Sequence, residues 1–94
     1  EVLFLNHDGE ESGIFGNGIS AENLEKQLES SPENLCAVYI TSPDYLGHVC
    51  DIAHIKKVCE KKHVPLIVDN AHGTYLKFLP GGSMHPLDLG ADMC

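Results

Sequence analysis

Basic side chains are scarce in this sequence: 6 Lys and Arg stand against 14 Asp and Glu, for a formal net charge of −8. Nucleic acids and anionic membrane surfaces both call for clustered Lys and Arg, so both partner classes are disfavoured. Long apolar runs are lacking as well. No stretch approaches the roughly 20 apolar residues that a bilayer-spanning helix needs. The opening Glu1-Val2-Leu3-Phe4-Leu5 carries neither a basic segment nor a long apolar one, so no signal peptide is visible. Cys36, Cys50, Cys59 and Cys94 form no C-x-x-C pair, which disfavours a zinc knuckle or a thioredoxin-type site. Free buried thiols in a reducing compartment are the expected state. There is no internal repeat and no low-complexity segment. Nor is there a G-x-x-x-x-G-K-[ST] loop, and the G-x-x-G-x-G pattern at Gly13, Gly16 and Gly18 has neither the dinucleotide spacing nor a basic neighbour.

What is present suits one small globular domain: 94 residues with a 43% hydrophobic share. The expectation is a soluble, acidic, cytosolic protein. The chain has no initiator Met, and strand-like sequence stands at both ends (Glu1–Leu5 and Ala91–Cys94). A complete domain rarely stops in mid-strand, so a fragment of a longer protein is expected.

Taken in order, Val2–Leu5 reads as a short strand and His7 to Gly18 as an exposed loop. Ser20 begins a helix as N-cap, with Ala21, Leu24 and Leu28 at helical spacing. Leu35–Ile40 is nearly all apolar and reads as a strand buried on both faces, with Cys36 near its start. Asp51 caps a second helix, Ile52–Lys62. There Ile52, Ile55 and Cys59 share a face, and Lys56, Lys57, Glu60 and Lys61 turn mostly outward. Pro65–Val68 is the next strand. A loop with Pro80-Gly81-Gly82, a turn at Leu87–Gly90 and a strand entry at Ala91–Cys94 follow. Alternation of this kind predicts an α/β fold with a mainly parallel sheet and right-handed crossovers.

The organising stretch is Pro65-Leu66-Ile67-Val68-Asp69-Asn70-Ala71-His72-Gly73. It places Asp69 at the carboxyl end of a buried strand, the edge where open α/β sheets bind ligands. A charge there is costly to bury unpaired. Asp69 is therefore read either as the partner of a cationic ligand group or metal, or as the cap of the next helix. A metal site from Asp69, His72 and His85 is conceivable, although only the first two are close in sequence.

Three segments line up in order: Thr41-Ser42-Pro43-Asp44-Tyr45-Leu46-Gly47, then Val64 to Gly73, then Leu89-Gly90-Ala91-Asp92. Together they resemble the T-S-P-x-Y-x-G, h-V-D-x-A-H-G and L-G-A-D segments of the bacterial Orn/Lys/Arg decarboxylases. These are fold-type-I, aminotransferase-like enzymes that use pyridoxal phosphate (PLP). The resemblance covers roughly Ala37 to Cys94, and the first third matches only in layout.

The resemblance implies a role for each matching position. Asp69 would pair with the protonated pyridine nitrogen, which must keep its proton for the ring to act as an electron sink. Ala71 would be the small residue against the ring, although it also simply suits a tight turn. His72 would lie near the phenolic oxygen, or be a hydrogen-bonded loop histidine. Gly73 would give backbone freedom or close approach. Ser42, Asp44 and Tyr45 are weaker cofactor candidates, and a second carboxylate beside a phenolate suggests that Asp44 points elsewhere. Pro43 and Gly47 would shape the turn.

The family's Schiff-base lysine would follow the L-G-A-D strand in an S-x-H-K segment. Its phosphate loop and ring-stacking residue would precede Glu1. Lys56, Lys57, Lys61 and Lys62 read as lying on or at the end of a solvated helix, Lys26 as likewise exposed, and Lys77, in a loop after the key strand, matches no family lysine. The implied function is decarboxylation of lysine, arginine or ornithine by a longer parent protein, at least a dimer with its site at the interface. The 94 residues alone would be inactive. An aminotransferase, a carbon–sulfur lyase and a purely structural fragment are the alternatives. A P-loop hydrolase with a magnesium-binding Asp69 ranks below them.

Overall fold

A computed structural model describes residues 2–6 and 18–94. The elements run α1 (Ala21–Glu29), β1 (Val38–Thr41), α2 (Ile52–Lys61), β2 (Leu66–Asp69) and a 3-10 helix at Thr74–Phe78. Gly13 and Gly16, with most of the predicted loop that follows His7, lie outside the described residues.

Both helices start where their capping chemistry places them. The Ser20 hydroxyl accepts the Asn23 N–H at 3.2 Å, and the Asp51 carboxylate accepts the His54 N–H at 3.2 Å. Leu24 and Leu28 of α1, with Ile52, Ile55, Val58 and Cys59 of α2, are buried. They share one core with Val38, Ile40, Leu66 and Val68. Burial pushes the Cys59 thiol up to about 11, which keeps it protonated in the core. An exposed Lys61–Glu25 contact of 2.9 Å links the helices outside that core and contributes little.

β1 and β2 pair in parallel, with Val38 opposite Leu66 and Thr41 opposite Asp69. The chain leaves β1, forms α2 and returns beside β1, the βαβ unit expected from the alternation. Beyond β2, the Val68 N–H donates to the Met93 carbonyl at 2.9 Å, and Met93 forms a parallel bridge with Ile67. The predicted Ala91–Cys94 strand is thus present as a single bridge along the second edge of β2.

Several expectations need correction. Val2–Leu5 forms no strand. The backbone of Asn6 bonds instead to α1 side chains: its N–H donates to Gln27 Oε1 at 2.8 Å, and its carbonyl accepts from Asn23 and Gln27 at 2.9 Å. Apolar, β-favouring residues need a backbone partner strand to become a strand themselves, and the residue that follows them is tied to helix side chains instead. β1 begins later than predicted, and Cys36 lies before it, exposed. Nor is β1 buried on both faces. Val38 and Ile40 point into the core, whereas Tyr39 is 60% exposed, because the core residues of both helices meet the same sheet face. Of the four thiols, all free, only Cys59 is buried.

Lys56 is likewise not a solvated helix lysine. Its Nζ meets both oxygens of Asp92, at 2.8 and 2.7 Å, and Asp92 Oδ2 also accepts the Leu66 N–H at 2.7 Å. One carboxylate thus joins α2, the start of β2 and the chain entering the next strand position. The Lys56 bond, then the Leu66 N–H, hold the Asp92 carboxyl below its usual value of 3.8. A depressed folded pKa means that the stabilisation is complete above the ordinary carboxylate value and is lost as pH falls through the lower, folded one. Asp92→Ala should therefore lower the melting temperature at neutral pH. It should also flatten the wild type's loss of stability on acidification, as read by thermal melts between pH 7 and pH 2.

Candidate functional site

At the carboxyl edge of the two strands, the segments after β1 and β2 meet. The Ser42 N–H donates to the Asp69 carbonyl at 2.9 Å, which extends the parallel ladder by one bond. Ser42 is only 1% exposed, and its Oγ accepts the Cys50 N–H at 2.9 Å. Its hydroxyl thus anchors the loop from beneath. Pro43, also buried, lies against Gly73.

Asp69 ends β2 half-buried, on the sheet face away from the helices. Its Oδ1 accepts the Ala71 N–H at 3.0 Å, a local turn closed two residues on. Its Oδ2 accepts the Tyr39 hydroxyl at 3.1 Å. The capping alternative fails: Gly73 stands at the start of the 3-10 helix, which has no side-chain cap. Each oxygen therefore has one protein donor. A carboxylate offers about four lone-pair sites, so Asp69 can still accept from an incoming cationic N–H.

Ala71 and His72 are exposed on the turn beside Asp69. The His72 ring lies against Tyr45, with centroids 4.9 Å apart and planes tilted by 55°. This contact joins the two loops above the strands. Asp44 does turn elsewhere. Its Oδ1 accepts the N–H groups of Leu46 and His48 at 2.8 and 2.9 Å, and its Oδ2 meets His48 Nδ1 at 2.8 Å. Gly47 closes that turn at φ 87°, a left-handed value that suits glycine.

Other sequence candidates lie apart from this edge. His85 meets the Cys94 thiol at 3.9 Å, and no group of three His, Cys, Asp or Glu side chains suited to a metal forms among the described residues. Lys77 is engaged by Asp88, at 2.7 and 2.6 Å. The third sequence segment lies at the other end of β2, where Asp92 serves the fold rather than the edge. Sequence reasoning missed Tyr39 because its contact with Asp69 spans 30 residues. Its place one residue out of phase with Val38 and Ile40 was the available signal.

Residues 2–92 match the family model for the Orn/Lys/Arg decarboxylase major domain. The chain belongs to the Orn/Lys/Arg decarboxylase family. This decarboxylase-family chain is 32% identical to an arginine decarboxylase of Halalkalibacterium halodurans, over 81% of the chain and 15% of that relative. It is 29% identical to an arginine decarboxylase of Bacillus subtilis, over 88% of the chain and 16% of the relative. A cystathionine gamma-synthase of Haemophilus influenzae is 35% identical over 85% of the chain and 20% of the relative. The chain therefore spans a fifth or less of the length of these relatives. No solved structure gives a significant match. The family match and the alternating elements with their parallel strand pair agree on an α/β fold. No helix among the described residues is long and apolar enough to cross a membrane.

Proposed function

We propose that the protein carrying this chain is a PLP-dependent decarboxylase of a basic amino acid, and that these residues are a slice of its single cofactor-binding major domain. The observation that carries this reading is Asp69. It is a carboxylate at the carboxyl edge of a parallel strand, held through both oxygens yet half-exposed. An anionic acceptor with lone pairs left over fits the protonated ring-nitrogen end of the cofactor.

PLP, when bound, supplies a sink for the electron pair left on the substrate α-carbon as carbon dioxide departs. The chain's own contribution is positional and electrostatic. Asp69 accepts the ring N–H and keeps that proton in place. Ala71 leaves room for a flat ring above the turn. His72, held against Tyr45, would lie near the phenolic oxygen and could stabilise its charge. Ser42 acts from below by fixing the loop that carries Tyr45. The arginine decarboxylase relatives favour arginine over lysine or ornithine as substrate. The enzyme is proposed to work in the cytoplasm as a dimer or larger oligomer.

The cystathionine gamma-synthase relative favours a second reading, in which the same edge serves PLP chemistry at a carbon–sulfur bond. One experiment separates them. PLP is added to the complete protein, its visible absorption is recorded, and carbon dioxide release from arginine, lysine and ornithine is measured. A visible band with release from one of these amino acids is expected. A band with turnover only of sulfur amino acids would favour the second reading, and no band at all would defeat both.

A further inference from the structure

We propose that Tyr39, which lies outside all three family-like segments, is a positioning residue for Asp69: its hydroxyl fixes the carboxylate plane that the ring nitrogen meets. This inference rests on the PLP reading above. It goes beyond that reading by assigning a role to a residue of β1.

The argument begins with register. Tyr39 stands opposite Ile67, and Asp69 lies two residues further along β2. Tyr39 and Asp69 are therefore diagonal neighbours on one sheet face, a separation that a long aromatic side chain can bridge. The hydroxyl donates to Oδ2 at 3.1 Å, while the Ala71 N–H donates to Oδ1 at 3.0 Å. Two donors on different oxygens stop rotation about the Cβ–Cγ bond. A single donor would leave the carboxylate free to turn about that contact.

Burial gives Tyr39 no competing purpose. It is 60% exposed, and its neighbours Val38 and Ile40 supply the core contacts of β1. The Asp69 hydrogen bond is also the main cause that raises the phenol above its usual value of 10.0, so the group remains a donor at neutral pH. Asp69 is the charged side chain that bears on it.

The test uses the complete protein as wild type, Tyr39→Phe, Asp69→Asn and the double variant. Three quantities are read: the dissociation constant for PLP, the wavelength of its bound visible maximum, and ionisation of Tyr39 by ultraviolet titration. The Tyr39 signal is the part lost in Tyr39→Phe. Phenylalanine keeps the ring, so a role in packing alone leaves all cofactor readouts unchanged.

The expected result is PLP binding weakened about ten-fold in Tyr39→Phe, with the visible maximum displaced. Tyr39→Phe should have no further effect once Asp69→Asn is present, because the two act as one unit. Tyr39 should ionise more readily in Asp69→Asn. Wild-type affinity and spectrum in Tyr39→Phe would overturn the proposal, as would equal losses from Tyr39→Phe with and without Asp69. If the wild type takes up no PLP, the functional reading itself falls and this role falls with it. The ultraviolet titration would then still report whether the Tyr39–Asp69 bond forms.

Discussion

Gly73→Ala should destabilise the protein by about 3 kcal/mol and displace the turn that carries Ala71 and His72. The cause is space and not backbone angle, since Gly73 sits at φ −120°, which any residue adopts. A Cβ built there lies 2.1 Å from Asn70 Oδ1, 2.5 Å from Pro43 Cδ and 2.9 Å from Leu76 Cδ1. The Asn70 amide could swing only within a buried site, where its Oδ1 already has no hydrogen-bond partner among the described residues. Pro43 cannot rotate away, because its ring is part of the backbone and is itself buried. Relief therefore requires the two loops to part, and their contact is what assembles the edge. Gly81→Ala is the control. Nothing lies within 4 Å of its Cβ, and only its φ of 105° opposes alanine, at about 1 kcal/mol. Chemical denaturation of both variants should show the larger loss at Gly73. Equal losses would mean that close packing of the loops is not what this glycine provides.

That result bears on how much the sequence could reveal. Gly73 was legible as a glycine needed for freedom or for close approach, and the choice between the two rests on its ordinary φ and on the crowding by Asn70, Leu76 and Pro43, the last of these thirty residues earlier. Local signals served well elsewhere. The Ser20 and Asp51 caps, the buried spacing of α1 and α2, and Asp69 at the end of a strand all depend on residues a few positions apart. Longer-range features were hidden. Val2–Leu5 has strand composition, yet the partners of the next residue's backbone are Asn23 and Gln27, whose polar side chains carried no such signal. Asp92 looked like part of a motif, and its bonds to Lys56 and Leu66 span 36 and 26 residues. The same holds for Tyr39 and Asp69. Periodicity assigns a residue to a face, but it does not name the residue that it meets across the sheet.

Asp69→Asn should leave the fold nearly intact while lowering decarboxylation by the complete protein roughly 10²- to 10³-fold, the scale for removing one preorganised electrostatic contact. Asparagine is close to aspartate in size, and its carbonyl oxygen can still accept either the Ala71 N–H or the Tyr39 hydroxyl. What disappears is the negative charge that, in the proposed function, would hold a proton on the ring nitrogen. PLP should therefore bind more weakly and absorb at a different wavelength, and the rate lost should exceed the affinity lost, because the charge matters most as the ring accepts electrons. Asp69→Ala should lose more than Asp69→Asn. It removes the acceptor for Tyr39 and for the Ala71 N–H as well, and so loosens the turn beneath the ring. Near-wild-type decarboxylation in Asp69→Asn would show that the charge at this strand end is not catalytic. The two bonds seen here would then describe a turn that Asp69 merely closes, and the ring nitrogen's partner would have to be sought on another strand end. A large loss of rate with unchanged thermal stability would instead place the charge of Asp69 in the chemistry, since a residue needed only to close the turn would lower both together.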